Sequence, residues 1–106
     1  MYIIVFVTAV DKKQARIIAR ELLRRKVAAC VNIVGKVQSF FWWQGKIDEA
    51  GEVMLVIKSK KALLPAITRI VKALHSYEVP EIIAVPVAGG EKKYLRWIHD
   101  SCAAAS

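Results

Sequence analysis

Two side chains in this chain of 106 residues are candidate ligands for a transition metal, His75 through nitrogen and Cys30 through sulfur. His75 is the best placed, a neutral imidazole at the predicted end of a helix in HSYE, and Cys30 is a softer donor suited to Cu(I). The two cysteines stand far apart, with no C-x-x-C or finger-like spacing that would make either an obvious ligand pair. No Ser-His-Asp set, H-E-x-x-H, P-loop or G-x-G-x-x-G pattern is present. Two glycines before Glu91 are too few to make a phosphate cradle. The residues therefore point to binding rather than to an enzyme.

Those side chains depend on the elements that carry them. YIIVFVTAV is a continuous β-branched and aromatic run, as expected of a strand covered on at least one face. In DKKQARIIARELLRRK, Ala15, Ile18, Ala19 and Leu22 fall on one helical face, while Lys12, Arg16, Arg20 and Arg24 fall on another. Residues 27–43 and 46–59 read as two long strands joined at Gln44-Gly45, where glycine supplies a positive φ for a tight turn. Gly35 and Gly51 interrupt these strands and predict bulges or bends. KKALLPAITRIVKALHS is a second helix, with Pro65 tolerated in its first turn. EIIAVPV is a fourth strand suited to an edge by its prolines, and EKKYLRWIHDSC is a last helix burying Tyr94, Leu95, Ile98 and Cys102. The order βαββαβ plus a helix predicts an α+β fold in a single domain, residues 1–106: a ferredoxin-like antiparallel sheet with helices on one face and a long β-hairpin.

The hairpin carries the oddest residues. Four of the nine aromatics are consecutive, Phe40, Phe41, Trp42 and Trp43. A two-residue turn sets Trp43 against Lys46, Trp42 against Ile47, Phe41 against Asp48 and Phe40 against Glu49, with rings on both ribbon faces. Helices of the same chain can cover one sheet face only. The remaining rings call for an outside partner, either another copy of the chain or nucleic-acid bases. Base stacking is the weaker alternative, because the third strand, EVMLVIKSK, lacks the ring pattern of RNA-recognition sheets. The formal net charge of +8 permits anionic partners, and seven of the seventeen Lys and Arg lie in residues 11–26. No apolar run is long enough to span a membrane, and the N-terminus lacks a basic leader, so a cytoplasmic protein is expected.

VAACVNIVGKVQSFFWWQGKIDEAGEVMLVIKS, HSYEVPEIIAVPV and YLRWI resemble, in order, blocks of the CutA family, named for divalent-cation tolerance. The likeness runs from about Val5 to Ile98. It implies a compact homotrimer in which the long hairpin wraps onto a neighbour, with a metal-response role in which copper or another divalent ion binds. It also implies that Lys58, Tyr77, Glu78 and Glu81 with Trp43 meet in a cleft between subunits, as an anion or metabolite site or as interface ion pairs. Some copper-binding members have a cysteine where Val7 stands and a histidine where Leu74 stands, so the ligand set they imply is incomplete here. The architecture is akin to PII signalling proteins, which makes a trimeric small-molecule sensor the alternative function.

Overall fold

The computed structural model describes residues 1–103. Strand β1 (Tyr2–Ala9) leads into helix α1 (Lys12–Arg24), then the hairpin strands β2 (Cys30–Trp43) and β3 (Lys46–Lys60). After a 3-10 turn at Lys61–Leu63 come helix α2 (Leu64–Leu74), strand β4 (Ile83–Pro86) and helix α3 (Lys92–Ser101). The sheet order is β2-β3-β1-β4 and every neighbouring pair is antiparallel, which is the ferredoxin-like arrangement. No helix among the described residues is long and apolar enough to cross a membrane.

Local chemistry explains the helix boundaries. The Asp11 carboxylate caps α1 by accepting the Gln14 N–H at 2.8 Å. Ala15, Ile18, Ala19 and Leu22 are the buried face of α1, as their spacing predicts. Pro65 sits in the first turn of α2, where its missing N–H costs nothing. Glu91 caps α3 through the N–H groups of Lys93 and Tyr94.

One core holds the layers together. Ile3, Val5 and Val7 of β1 and Leu55 and Ile57 of β3 meet the buried faces of α1 and α2, and α3 adds Ile98 and Cys102. The opposite sheet face has no helix over it. There the register lines up Asn32, Val56, Phe6 and Ile83 in one row, and Cys30, Lys58, Ile4 and Val85 in the next.

Three sequence expectations need correction. Tyr94 does not point into the core: it is exposed and pairs with exposed Trp97, ring centroids 5.5 Å apart, because the α3 stripe facing the core runs through Leu95 and Ile98. Gly51 pairs regularly with Gln38, so it makes no bulge. Strand β2 begins at Cys30 rather than Val27, because the positive φ of Lys26 turns the chain out of α1 and residues 27–29 bury in the core first. The bulge expected at Gly35 is present. Val34 faces Met54 and Val37 faces Glu52, so Gly35 and Lys36 together oppose Val53, with the positive φ at Lys36.

Candidate functional site

His75 caps the C-terminus of α2 and is buried. Its Nδ1 accepts the Tyr77 N–H at 3.0 Å and its Nε2 lies 2.6 Å from the Thr8 carbonyl oxygen. A backbone N–H can only donate, so Nδ1 carries the lone pair and Nε2 carries the proton, which it donates to Thr8. Both nitrogens are thus committed to backbone groups. The imidazole ties the α2 exit to the end of β1 and leaves no lone pair for a metal ion.

Cys30 lies elsewhere, on β2 beside Lys58 and at the level of Ile4. That is four residues down β1 from Thr8, about 13 Å at the usual strand rise, and two strands across the sheet. Its Sγ is 4.0 Å from Asn32 Oδ1, which also accepts the Lys58 ammonium. His75 and Cys30, the two candidate ligands, therefore stand apart and do not together make a metal site within one chain. Among the described residues no group of three or more His, Cys, Asp or Glu comes together in a way that could hold a metal.

The expected cleft residues divide into three places. Tyr77 stacks obliquely on His75, centroids 4.7 Å apart, and donates its hydroxyl to Glu52 Oε2 at 3.0 Å. Glu52 is only 8% exposed although it sits where β3 leaves the cover of β1, one residue past the last β1 pairing at Val53. Partial burial, then the hydrogen bond to Glu52, pushes the Tyr77 phenol above its ordinary range. Glu81, on the loop before β4, is pushed upward too, first by partial burial and then by the Glu52 charge. Tyr77 and Glu81 thus share one polar corner, while Glu78 on the same loop is exposed. Lys58 stands on the helix-free sheet face with Asn32, and Trp43 stands at the hairpin tip.

Glu52 and Asn32 are the residues that sequence reasoning missed. Alternation along β3 does place Glu52 on the face of Met54, Val56 and Lys58. Its burial comes from Tyr77, twenty-five residues away in sequence, and no local pattern signals that.

The rings lie as the turn chemistry predicts. Gln44 and Gly45 both have positive φ, and Trp43–Lys46, Trp42–Ile47, Phe41–Asp48 and Phe40–Glu49 are all paired. Because β1 ends opposite Val53, the hairpin runs beyond the sheet body. Phe40, Phe41, Trp42 and Trp43 are 62%, 39%, 73% and 51% exposed, and Ile47 68%. The Gly35–Lys36 bulge fixes their sides: it shifts the alternation of β2 by one, so Phe41 and Trp43 share the helix-free side with Glu52, and Phe40 and Trp42 take the other.

A family model described as "CutA1 divalent ion tolerance protein" matches residues 3–101. The chloroplastic protein CutA 1 of Oryza sativa is 46% identical over 99 residues, covering 93% of this chain and 56% of that protein. The divalent-cation tolerance protein CutA of Thermus thermophilus is 41% identical over 98 residues, 92% of this chain and 95% of that one. The chain spans about half the length of several plant and animal relatives, 56% of the rice protein and 53% of the mouse protein CutA among them. The solved T. thermophilus structure superposes with a TM-score of 0.96 at 40% identity, covering 97% of this chain and all of that one (100%). The solved structure of the periplasmic divalent cation tolerance protein CutA of Archaeoglobus fulgidus superposes with a TM-score of 0.93 at 40% identity, covering 95% of this chain and 98% of that one.

Proposed function

The chain belongs to the CutA1 divalent ion tolerance family, and on that premise we propose that it is a non-catalytic divalent-cation response protein that binds its ligand as a homotrimer. The observation that carries the assembly is the exposure of large rings on both faces of the projecting hairpin. A soluble monomer seldom leaves so much contiguous apolar surface in water. The helix-free sheet face adds exposed Val34, Ile83 and Val85. A long free edge on β2 and a short one on β4 are further surfaces that neighbouring copies can cover.

Cation binding in this reading belongs to the seams between copies. Among the described residues of one chain no three His, Cys, Asp or Glu side chains come together, so a site of useful affinity needs donors from two subunits. Light scattering of the intact protein, paired with calorimetric titration of Cu and Zn, tests both parts. A trimer mass with cation binding lost on dissociation supports the reading; a monomer at micromolar concentration overturns it.

The Tyr77–Glu52 corner favours a second reading, a sensor of a small polar metabolite in the PII manner. Its buried, hydrogen-bonded Glu52 sits at the base of the hairpin within reach of the Glu81 charge, where a neighbour's residues would close a cleft. A thermal-shift screen of metabolites against the metal titration separates the two.

A further inference from the structure

The basic outer layer of the helices is not used by the proposed function. α1 and α2 together carry seven Lys or Arg (Lys12, Lys13, Arg16, Arg20, Arg24, Arg69 and Lys72) and one acid, Glu21. That acid is saturated: its Oε2 lies 2.7 Å from Arg24 and 2.7 Å from Arg25, which hold its carboxyl down to about 2. The layer is therefore a cationic surface with no internal counter-charge to spare.

A groove of about 480 Å³ runs between the two helices inside this surface. Its floor is apolar, made by Val27 and Ile70, and its α2 wall is Ala66, Ala73 and Leu74. Leu74 is 37% exposed, an apolar side chain left at the open rim. Arg69 stands on the α2 side, and on the other side Glu21 and Arg25 line the groove as an ion pair. A polyphosphate chain would gain nothing from the apolar floor, and no aromatic ring lines the groove to stack a base. An amphipathic helix suits it: apolar anchors spaced i, i+3 or i+4, and i+7 enter the groove, and acids on its flank reach Arg69 and the basic outer faces of α1 and α2.

We infer that the α1–α2 groove is a docking site for an acidic amphipathic helix of a partner protein. α2 is eleven residues long, about 16 Å, which matches three turns of a partner. The acids alone would give salt-sensitive attraction; the apolar floor is what makes helical periodicity matter.

The test uses the intact protein and a fluorescein-labelled Leu/Glu peptide of about four turns with leucines at helical spacing, read by anisotropy at physiological salt. The expected result is binding that weakens at least about tenfold for a peptide of the same composition with alternating leucines. Ala73→Glu and Arg69→Glu are solvent-facing changes, and each should weaken the periodic peptide by a similar factor while leaving the melting temperature unchanged. Lys93→Glu, on α3, should leave binding unaltered. Equal binding of the two peptides, undiminished binding by both groove variants, or displacement of the peptide by oligouridine RNA at the same salt would each overturn the inference.

Discussion

The imidazole of His75 bridges two backbone groups far apart in sequence, donating from Nε2 to the Thr8 carbonyl at 2.6 Å while Nδ1 accepts the Tyr77 amide at 3.0 Å. A residue that reads as a ligand from sequence is here a structural clamp. Replacing it leaves a buried carbonyl and an amide without partners, each worth about 1–3 kcal/mol. His75→Ala should therefore lower the urea midpoint substantially while Zn calorimetry on the folded variant is unchanged. Loss of a metal titration in a variant of undiminished stability would return His75 to a metal site.

The hairpin rings set the second expectation. With Phe41 and Trp43 on one side and Phe40 and Trp42 on the other, a neighbouring copy buries rings on both. Trp43→Ala should then cost about 3–5 kcal/mol per subunit, as for other buried large aromatics. Light scattering should show a shift from trimer toward monomer, or calorimetry a sharply lowered melting temperature. A wild type already monomeric would refute the premise.

A third expectation concerns the Tyr77–Glu52–Glu81 corner. A carboxyl whose folded pKa is raised favours its protonated form in the folded state, so its ionisation costs stability as pH climbs from the unfolded value of 4.5 through the higher folded one. Glu52→Gln keeps an acceptor for the Tyr77 hydroxyl but removes the charge. Carbon-detected NMR should then find the Glu81 midpoint lower in the variant, with the stability loss above pH 4.5 reduced. An unmoved midpoint would leave burial as the sole cause.

Glu21 behaves in the opposite sense. The Arg24 hydrogen bond first, and that of Arg25 second, lower its pKa to about 2 from 4.5. The pairing is fully present above pH 4.5 and is lost as pH falls through about 2. Arg24 and Arg25 are exposed, so high salt should raise the titration midpoint toward the ordinary carboxylate range. A midpoint indifferent to salt would contradict the assignment.

The hairpin turn offers a stabilising change. Lys36 and Gln44 have φ of 60° and 50° without being glycine. Left-handed backbone costs an ordinary residue on the order of 1–2 kcal/mol, and asparagine less. Gln44→Asn should raise stability by about 0.5–1 kcal/mol in a thermal melt, whereas Gln44→Val should lower it.

Sequence alone determined what depends on near neighbours. The apolar face of α1, the Pro65 start of α2 and all four cross-strand ring pairs follow from periods of 3.6 and 2, from the fixed φ of proline and from the φ demands of Gln44-Gly45. Tertiary structure decided what depends on residues remote in sequence. His75 became a clamp because folding brings the end of α2 to Thr8, sixty-seven positions earlier. Glu52 became a buried acid because Tyr77 closes over it. The side taken by each ring was settled by one extra residue at Gly35–Lys36, since a single-residue shift in a period of two exchanges the faces of everything that follows.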